Sequence, residues 1–505
     1  MRAAGDILLV STYELGHQPL HLASPLAFLE RAGYRPRALD VSVEPLDDET
    51  IARARFVAIA VPMHTALRLG AEVGARIRAL NPTAHLCYFG LYAPLNREYL
   101  RRHGADSVLG GEYEAALVAE VHAAELVKPI AEMVKPISAT EAARSHRDGP
   151  SQPSARDAYG ANVEERTNAS SATVSVGDAV KELVKPIAGM VEPIRLERLD
   201  FAVPSRARLP QLSRYARLEV DGEARLAGYA EASRGCLHHC RHCPIPPVYE
   251  GRFFVVPVET VVADVAQQVA AGARHVTLGD PDFFNGPGHA MAVARAIHAA
   301  HPSLTFDVTI KVEHILKRRT LFAELAALGC AFVVSAVEST SDRVLRLLDK
   351  GHTRADLDEA LVILDAAGLP LRPTWLPFTP WTTLDDYLDM LAWIESHAMI
   401  EHVDLVQLAV RLLIPPGSKL LALPEMQAVL GPLEPEKLSY AWTHPDPRMD
   451  RLAHDVFAAV ADGAGFADVR TLTRAAAALP QLPATAVVHK LVRGRPPRLS
   501  ESWFC

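Results

Sequence analysis

Three cysteines, Cys236, Cys240 and Cys243, share one short stretch, SRGCLHHCRHCPIPP at 233–247. Thiolates so spaced reach a common centre: three can each ligate one iron of a four-iron, four-sulfur cluster, leaving the fourth iron without a protein cysteine. Such an open iron can hold a small chelating molecule and pass it an electron. Zinc is the competing occupant, because it draws four ligands from cysteine and histidine, and His238, His239 and His242 stand beside the thiols. Neighbouring side chains in so tight a loop diverge, which counts against using all of them at once. Inert thiols are the third reading. Pro244, Pro246 and Pro247 stiffen the loop and favour a preformed metal cradle.

The elements that must carry this loop alternate in type. From 226 onward strand-like runs at 226–231, 275–279, 304–310, 331–338, 369–375 and 403–410 are separated by helical patterns at 258–271, 288–300, 318–328, 341–349, 354–367 and 383–397. Six such units read as a partial parallel (βα)6 barrel, whose functional face is the C-terminal ends of its strands. The cysteines follow the first of those strands. Before the barrel, runs at 6–10, 36–41, 56–61, 84–89 and 106–110 predict a Rossmann-like open parallel sheet, with ligand loops around Tyr13 to His21, Pro62 to Thr65, Phe89 to Pro94 and Gly110 to Tyr113. No GxGxxG fingerprint supports a dinucleotide there.

The fold class expected is therefore α/β: a sheet domain at 1–125, a low-complexity linker or insertion at 126–199, the barrel at 200–430, and a small C-terminal accessory region and tail at 431–505. The linker assignment rests on the stretch between Ile137 and Leu183, which lacks leucine and isoleucine and has Tyr159 as its sole aromatic. A near repeat flanks it, ELVKPIAEMVKPI at 125–137 and ELVKPIAGMVEPI at 182–194. Two copies do not make a solenoid.

Composition narrows the class. Lys and Arg total 52 against 60 for Asp and Glu, a net charge of −8 with no basic block, so nucleic acid is not an expected partner. No apolar run is long enough to span a bilayer and no cleavable leader pattern opens the chain, which predicts a cytoplasmic protein without a membrane partner.

CxxxCxxC at the end of the first strand of a partial barrel resembles the radical S-adenosylmethionine superfamily, and the preceding sheet resembles the cobalamin-binding domain that many members carry. The resemblance implies a [4Fe-4S] cluster on Cys236, Cys240 and Cys243. It also implies S-adenosylmethionine chelated to the open iron, a small-molecule substrate, and reduction by a donor such as flavodoxin or ferredoxin. Reductive cleavage would give methionine and a 5'-deoxyadenosyl radical. With cobalamin present, methylation is the familiar outcome; non-methylating transfer or rearrangement, with a thiophilic substrate, is the alternative. A non-catalytic cobalamin or iron-sulfur sensor is the reading from another class. Where many relatives place an aromatic before the third cysteine, this chain has His242.

The strand ends supply the expected cofactor contacts. Asp280 or Asp282 stands where the family often has Gly-Gly-Glu; Asp307 and Lys311 follow the third strand; Ser335 and Glu338 belong to SAVESTSDRVLRLLDKGHT, similar to the family's Glu-Ser segment and Lys-Gly-His-Thr turn. Arg372, Trp375, Gln407 and Arg411 are placed on the substrate side. In the first domain no DxHxxG loop offers a histidine to cobalt, and Gly90, Gly110, Gly111 and Glu112 are the positions expected to admit the corrin and its tail.

YGLYAPLN, EASRGCLHHCRHCPIPPVY, VESTSDRVLRLLDKGHT, LRPTWLPFTPWTTLDDY and ESWFC together resemble the cobalamin-domain group whose tail reads Cys-Cys-Ala-Glu-Pro or Cys-selenocysteine-Ala-Glu-Pro. On that resemblance Cys505 is the first residue of the tail and a catalytic candidate. The chain would be a selenoprotein whose reading stops at a UGA codon. A Cys-selenocysteine pair would suit reduction of an intermediate or capture of a soft, thiophilic substrate.

Overall fold

The computed structural model describes residues 1–133, 194–480 and 493–501. The expected linker core, its second repeat copy and Cys505 lie outside them. The chain divides into two compact units. One holds residues 1–118 together with the described residues from 194 onward; the other begins at Ala119 and is described only along the helix that starts at Glu114 and ends at Met133.

Strands β1 (Ile7–Ser11), β2 (Arg37–Asp40), β3 (Phe56–Ala60), β4 (His85–Phe89), β5 (Ser107–Gly111) and β6 (Ile194–Arg195) form a parallel sheet in the order β2-β1-β3-β4-β5-β6. β1 and β3 are wholly buried runs, as a sheet covered by helices on both faces requires. Helix His64–Leu80 packs closely through Gly70 and Gly74, where a Cβ would strike Ile59, Val61 and the Tyr88 hydroxyl. The strand order reverses between β1 and β3, and ligands of such sheets sit beyond the strand ends at that switch point.

The second sheet runs β14-β13-β12-β11-β8-β7-β17, where β7 is Arg217–Val220, β8 Glu223–Ala230, β11 His275–Leu278, β12 Thr305–Thr309, β13 Cys330–Glu338, β14 Leu371–Trp375 and β17 Arg498–Leu499. β8, β11, β12, β13 and β14 are mutually parallel, while β7 and β17 extend the β8 edge in antiparallel fashion. Helices cover the outer face. Helix Val258–Ala270 buries Val261, Val265 and Gln268, and capping boxes start the helices at Arg354 and Leu384, where Thr353 pairs with Asp356 and Thr383 with Asp386. The main apolar core lies between these helices and the sheet, with Phe306, Val333, Trp375 and Trp393 among its members.

The partial barrel is present, but the sixth strand expected at 403–410 is not. Leu405–Ala409 is a 3-10 turn, followed by a lone parallel bridge from Arg411 to Phe378. Side chains satisfy the β14 edge instead of a backbone ladder: Gln407 accepts from the Trp375 N–H at 3.0 Å, and Asp404 accepts from Arg372 at 2.6 Å. The helix expected from 318 begins earlier, at Val312, and breaks before Phe322. A short hairpin, β15 (Leu430–Glu434) with β16 (Ser439–Trp442), and helices Pro447–Ala461 and Phe466–Ala476 make up the C-terminal region. Among the described residues no helix is long and apolar enough to cross a membrane.

Candidate functional site

The cysteine loop leaves the barrel from β9 (Ser233–Gly235) and returns through β10 (Phe253–Val255), its antiparallel partner. Gly235 turns the chain at φ +75°, and a Cβ there would lie 2.5 Å from the Arg252 carbonyl oxygen, so no other residue closes the loop so tightly. Between the two strands the loop is anchored by its own side chains. Arg241 donates to the Arg346 and Leu347 carbonyls and its N–H reaches the Leu348 carbonyl, capping the C-terminus of helix Asp342–Leu348. The Leu237 N–H donates to Asn285 Oδ1, which also lies 3.8 Å from Cys236 Sγ. The loop is thus held from the ends of two other barrel units.

Cys236 and Cys240 are buried and Cys243 is nearly so. Burial, aided by the nearby Cys240, pushes the Cys236 thiol up to about 11 and the Cys243 thiol up to about 12. Cys236 and Cys243, raised in this way, yield their protons most readily to a centre of high positive charge. A cation or iron-sulfur cluster meets that condition, so the donor set fits such a group.

Two charged knots flank the loop at the strand ends. In the first, Glu338 ends β13 in a left-handed conformation, φ +68°, unusual for a side chain with a Cβ. Its carboxylate meets Lys350 Nζ at 3.1 Å and His242 Nε2 at 3.3 Å. Burial would raise its pKa, but the Lys350 charge and the His242 hydrogen bond outweigh burial and hold it at about 2. Lys350 is in turn raised, burial being overcome by Glu338 and then by the cysteine thiolates. In the second knot Asp282, fully buried, lies 3.1 Å from His238 Nε2 and 2.7 Å from His314 Nδ1. Burial is again outweighed, here by the two imidazoles, and the carboxyl sits near 2. Glu313 joins from the same short helix, 3.6 Å from His238 and 3.5 Å from Lys311.

The other expected residues have different surroundings. Asp280 accepts from the Ala232 N–H at 2.9 Å and the Ser233 hydroxyl at 2.5 Å, and burial raises it to about 7; it fixes the start of the loop. Asp307 is taken up by His275 at 2.8 Å and Thr277 at 2.7 Å. Ser335 shares its face of β13 with Val333 and Val337, which belong to the core under the helices, and so points away from the barrel interior. Lys350, His314 and Glu313 join the site beyond the residues expected from the sequence; Lys350 lies in the DKGHT segment, and the pair Glu313-His314 soon after a strand end is the signal for the other two.

In the first domain the glycines serve the chain itself. A Cβ on Gly110 would meet Pro94 at 2.5 Å, one on Gly111 the Arg195 carbonyl at 2.0 Å, and one on Gly90 the Val61 carbonyl carbon at 3.1 Å. Glu112 is buried in a contact with the barrel. It accepts from Tyr249 at 3.1 Å and faces Arg234 at 3.7 Å, while Glu114 and Glu231 also pair with Arg234. Burial raises Glu112 to about 8 despite Arg234. Of the loop after β1, Gln18 donates to the Pro210 carbonyl, His17 lies against Tyr229 with ring centres 4.7 Å apart, and His21 pairs with Glu14 at 3.1 Å. At the switch point the Ser11 hydroxyl, at the end of β1, is buried with no hydrogen-bond partner among the described residues. An orphaned polar group there fits a polar ligand tail entering beyond the strand ends. A cavity of about 320 Å³ lined by Asp365, Leu369, Pro370 and Arg493 opens at the N-terminal end of β14, far from this face of the barrel.

Residues 231–391 match the radical SAM superfamily, so the chain carries a radical SAM domain spanning the cysteine loop and both knots. Among curated relatives, tRNA-2-methylthio-N(6)-dimethylallyladenosine synthase of Chlorobaculum tepidum is 28% identical over 203 residues, 37% of this chain and 42% of that one. The enzyme of the same description from Alkalilimnicola ehrlichii is 25% identical over 242 residues, 44% and 53%. The matched stretch is thus about half the length of these relatives. Among solved structures, the cobalamin-dependent S-adenosylmethionine radical enzyme OxsB with aqua-cobalamin and S-adenosylmethionine bound superposes with a TM-score of 0.59 at 14% identity, covering 89% of this chain and 65% of that one. The radical S-adenosylmethionine methyltransferase TsrM from Kitasatospora setae, with its tryptophan substrate and an S-adenosylmethionine analogue bound, superposes with a TM-score of 0.58 at 17% identity, covering 94% and 96%. The two-sheet fold of this chain is the fold of those structures.

Proposed function

We propose that this chain is a cobalamin-dependent radical S-adenosylmethionine enzyme that modifies a small molecule, with methyl transfer as its reaction. The carrying observation is the three thiols, Cys236 and Cys240 buried and Cys243 half-buried, on one loop clamped at the strand ends of a radical SAM domain. The first sheet, with its switch point and its likeness to cobalamin-holding structures, supports the second cofactor. When bound, the cluster supplies an electron to S-adenosylmethionine and cobalamin supplies a methyl group.

The chain's own residues do the rest. Cys236, Cys240 and Cys243 hold the cluster. Glu338 and Lys350 form a buried ion pair beside Cys240 and Cys243, and His242 ties that pair to the loop. Glu338 is the acceptor proposed for polar groups of S-adenosylmethionine. Arg234 and its three carboxylates bind the first domain to the barrel, which keeps the two cofactor positions at fixed separation.

The test is anaerobic reconstitution with iron, sulfide and hydroxocobalamin, followed by turnover with S-adenosylmethionine deuterated in its methyl group and a panel of small-molecule extracts. The expected result is one corrin per chain and a product carrying the deuterated methyl. A chain that assembles its cluster yet retains no corrin after gel filtration contradicts the cobalamin reading.

A further inference from the structure

The His238, Asp282 and His314 knot has more of the features of a metal site than of a hydrogen-bond network. Asp282 Oδ2 stands 3.1 Å from His238 Nε2 and 2.7 Å from His314 Nδ1, and the three ligand atoms all lie within 4.8 Å of one another. Around an ion with bonds of about 2.1 Å, ligands in adjacent positions stand about 3 Å apart, which is the spacing of both nitrogens from the carboxylate. His314 Nδ1, 2.7 Å from Asp282 Oδ2, makes no hydrogen bond of acceptable angle to any described group.

The surrounding groups hold these ligands as a metal requires. The second Asp282 oxygen, Oδ1, accepts from the Phe284 N–H at 3.2 Å, which fixes the carboxylate and leaves Oδ2 for the ion. His238 turns its other nitrogen, Nδ1, to Glu313 Oε2 at 3.6 Å, and Glu313 is itself steadied by Lys311 and Lys317. The negative charge of a carboxylate behind a ligating imidazole raises its basicity. Two imidazoles and one carboxylate on one side of a centre suit a divalent first-row transition ion with its remaining positions open.

We propose that His238, Asp282 and His314 bind such an ion, distinct from the cluster on the three cysteines. The ion pins the cysteine loop, through His238, to the end of β11 and to helix Val312–Lys317. Nothing in this site depends on cobalamin or on cleavage of S-adenosylmethionine, so it stands or falls apart from the proposed reaction.

The experiment uses the full-length chain with Cys236→Ala, Cys240→Ala and Cys243→Ala, stripped with chelator and titrated anaerobically with Co²⁺ alone. The expected result is one Co²⁺ per chain with ligand-field bands and no sulfur-to-cobalt charge transfer. His314→Gln is expected to weaken binding at least tenfold, and Glu313→Gln to weaken it by about 10–100-fold. Absence of saturable binding, or binding unchanged by His314→Gln, overturns the proposal. If the triple variant does not fold, the cluster-loaded chain and its His314→Gln form are compared by zinc and iron content against sulfide. A metal in excess of the cluster that disappears with His314 supports the site, and equal contents overturn it.

Discussion

The strand ends of the two sheets make opposite use of the same kinds of residue. At the end of β5, Gly110, Gly111, Glu112 and Glu114 are absorbed by the chain: the glycines admit neighbouring residues, and the glutamates share Arg234 with Glu231. At the ends of β11 and β13, Asp282 and Glu338 flank one loop and are held near 2 by imidazole and ammonium partners, whereas burial raises Glu112 at the β5 end to about 8. A glycine or a carboxylate after a parallel strand is therefore no sign of a ligand by itself. What separates the barrel face is that several such groups, from separate units, meet the same three thiols.

The comparison breaks most visibly at Arg234. If the β5 end is architectural, Arg234→Met leaves the buried Glu112 and Glu114 without their cation and costs about 3–5 kcal/mol in urea unfolding. A loss below 1 kcal/mol would mean that these glutamates are free to serve a ligand. The barrel face should respond the other way. Glu338→Gln, which removes the partner of buried Lys350, is expected to lower 5'-deoxyadenosine formation about tenfold while the cluster still assembles. The double variant Glu338→Gln with Lys350→Met should recover stability but not rate; recovery of both would make the pair structural.

A smaller effect sharpens the contrast through pH. His17, against Tyr229, and His352, whose Nε2 lies 3.3 Å from the Val337 carbonyl, are both buried and both lowered by that burial to about 4. Their neutral forms are favoured in the folded chain, so their contribution is full above pH 6.5, the unfolded value. It is lost as pH falls toward 4, by up to about 1.4 kcal/mol per pH unit for each histidine. Thermal unfolding between pH 7 and 5 should show this slope, and His17→Asn should reduce it; an unchanged slope removes His17 from the account.

The periodicity of the sequence carried most of the fold. The five strands of the first domain and five of the six expected in the barrel lie where alternation placed them, because buried parallel strands are continuous apolar runs. The segment 403–410 carried the same pattern, yet Asp404 and Gln407 use side chains to satisfy β14, a choice that hydrophobic spacing does not encode. The thiol loop was legible because its spacing is local. The knots were half legible: Glu338 and Asp282 stood out as strand-end acids, whereas Lys350 and His314 gained meaning only when the fold brought them to those acids. Gly90, Gly110 and Gly111 are ambiguous in the sequence because close chain packing and close ligand approach demand the same residue.

The most direct measurement of the central claim is 5'-deoxyadenosine release by the anaerobically reconstituted, reduced full-length chain supplied with S-adenosylmethionine, set beside the chain with Cys236, Cys240 and Cys243 replaced by alanine. The account predicts four-iron absorbance and 5'-deoxyadenosine in the first and neither in the second. Equal 5'-deoxyadenosine from both, or none from a chain with a full cluster, would contradict it.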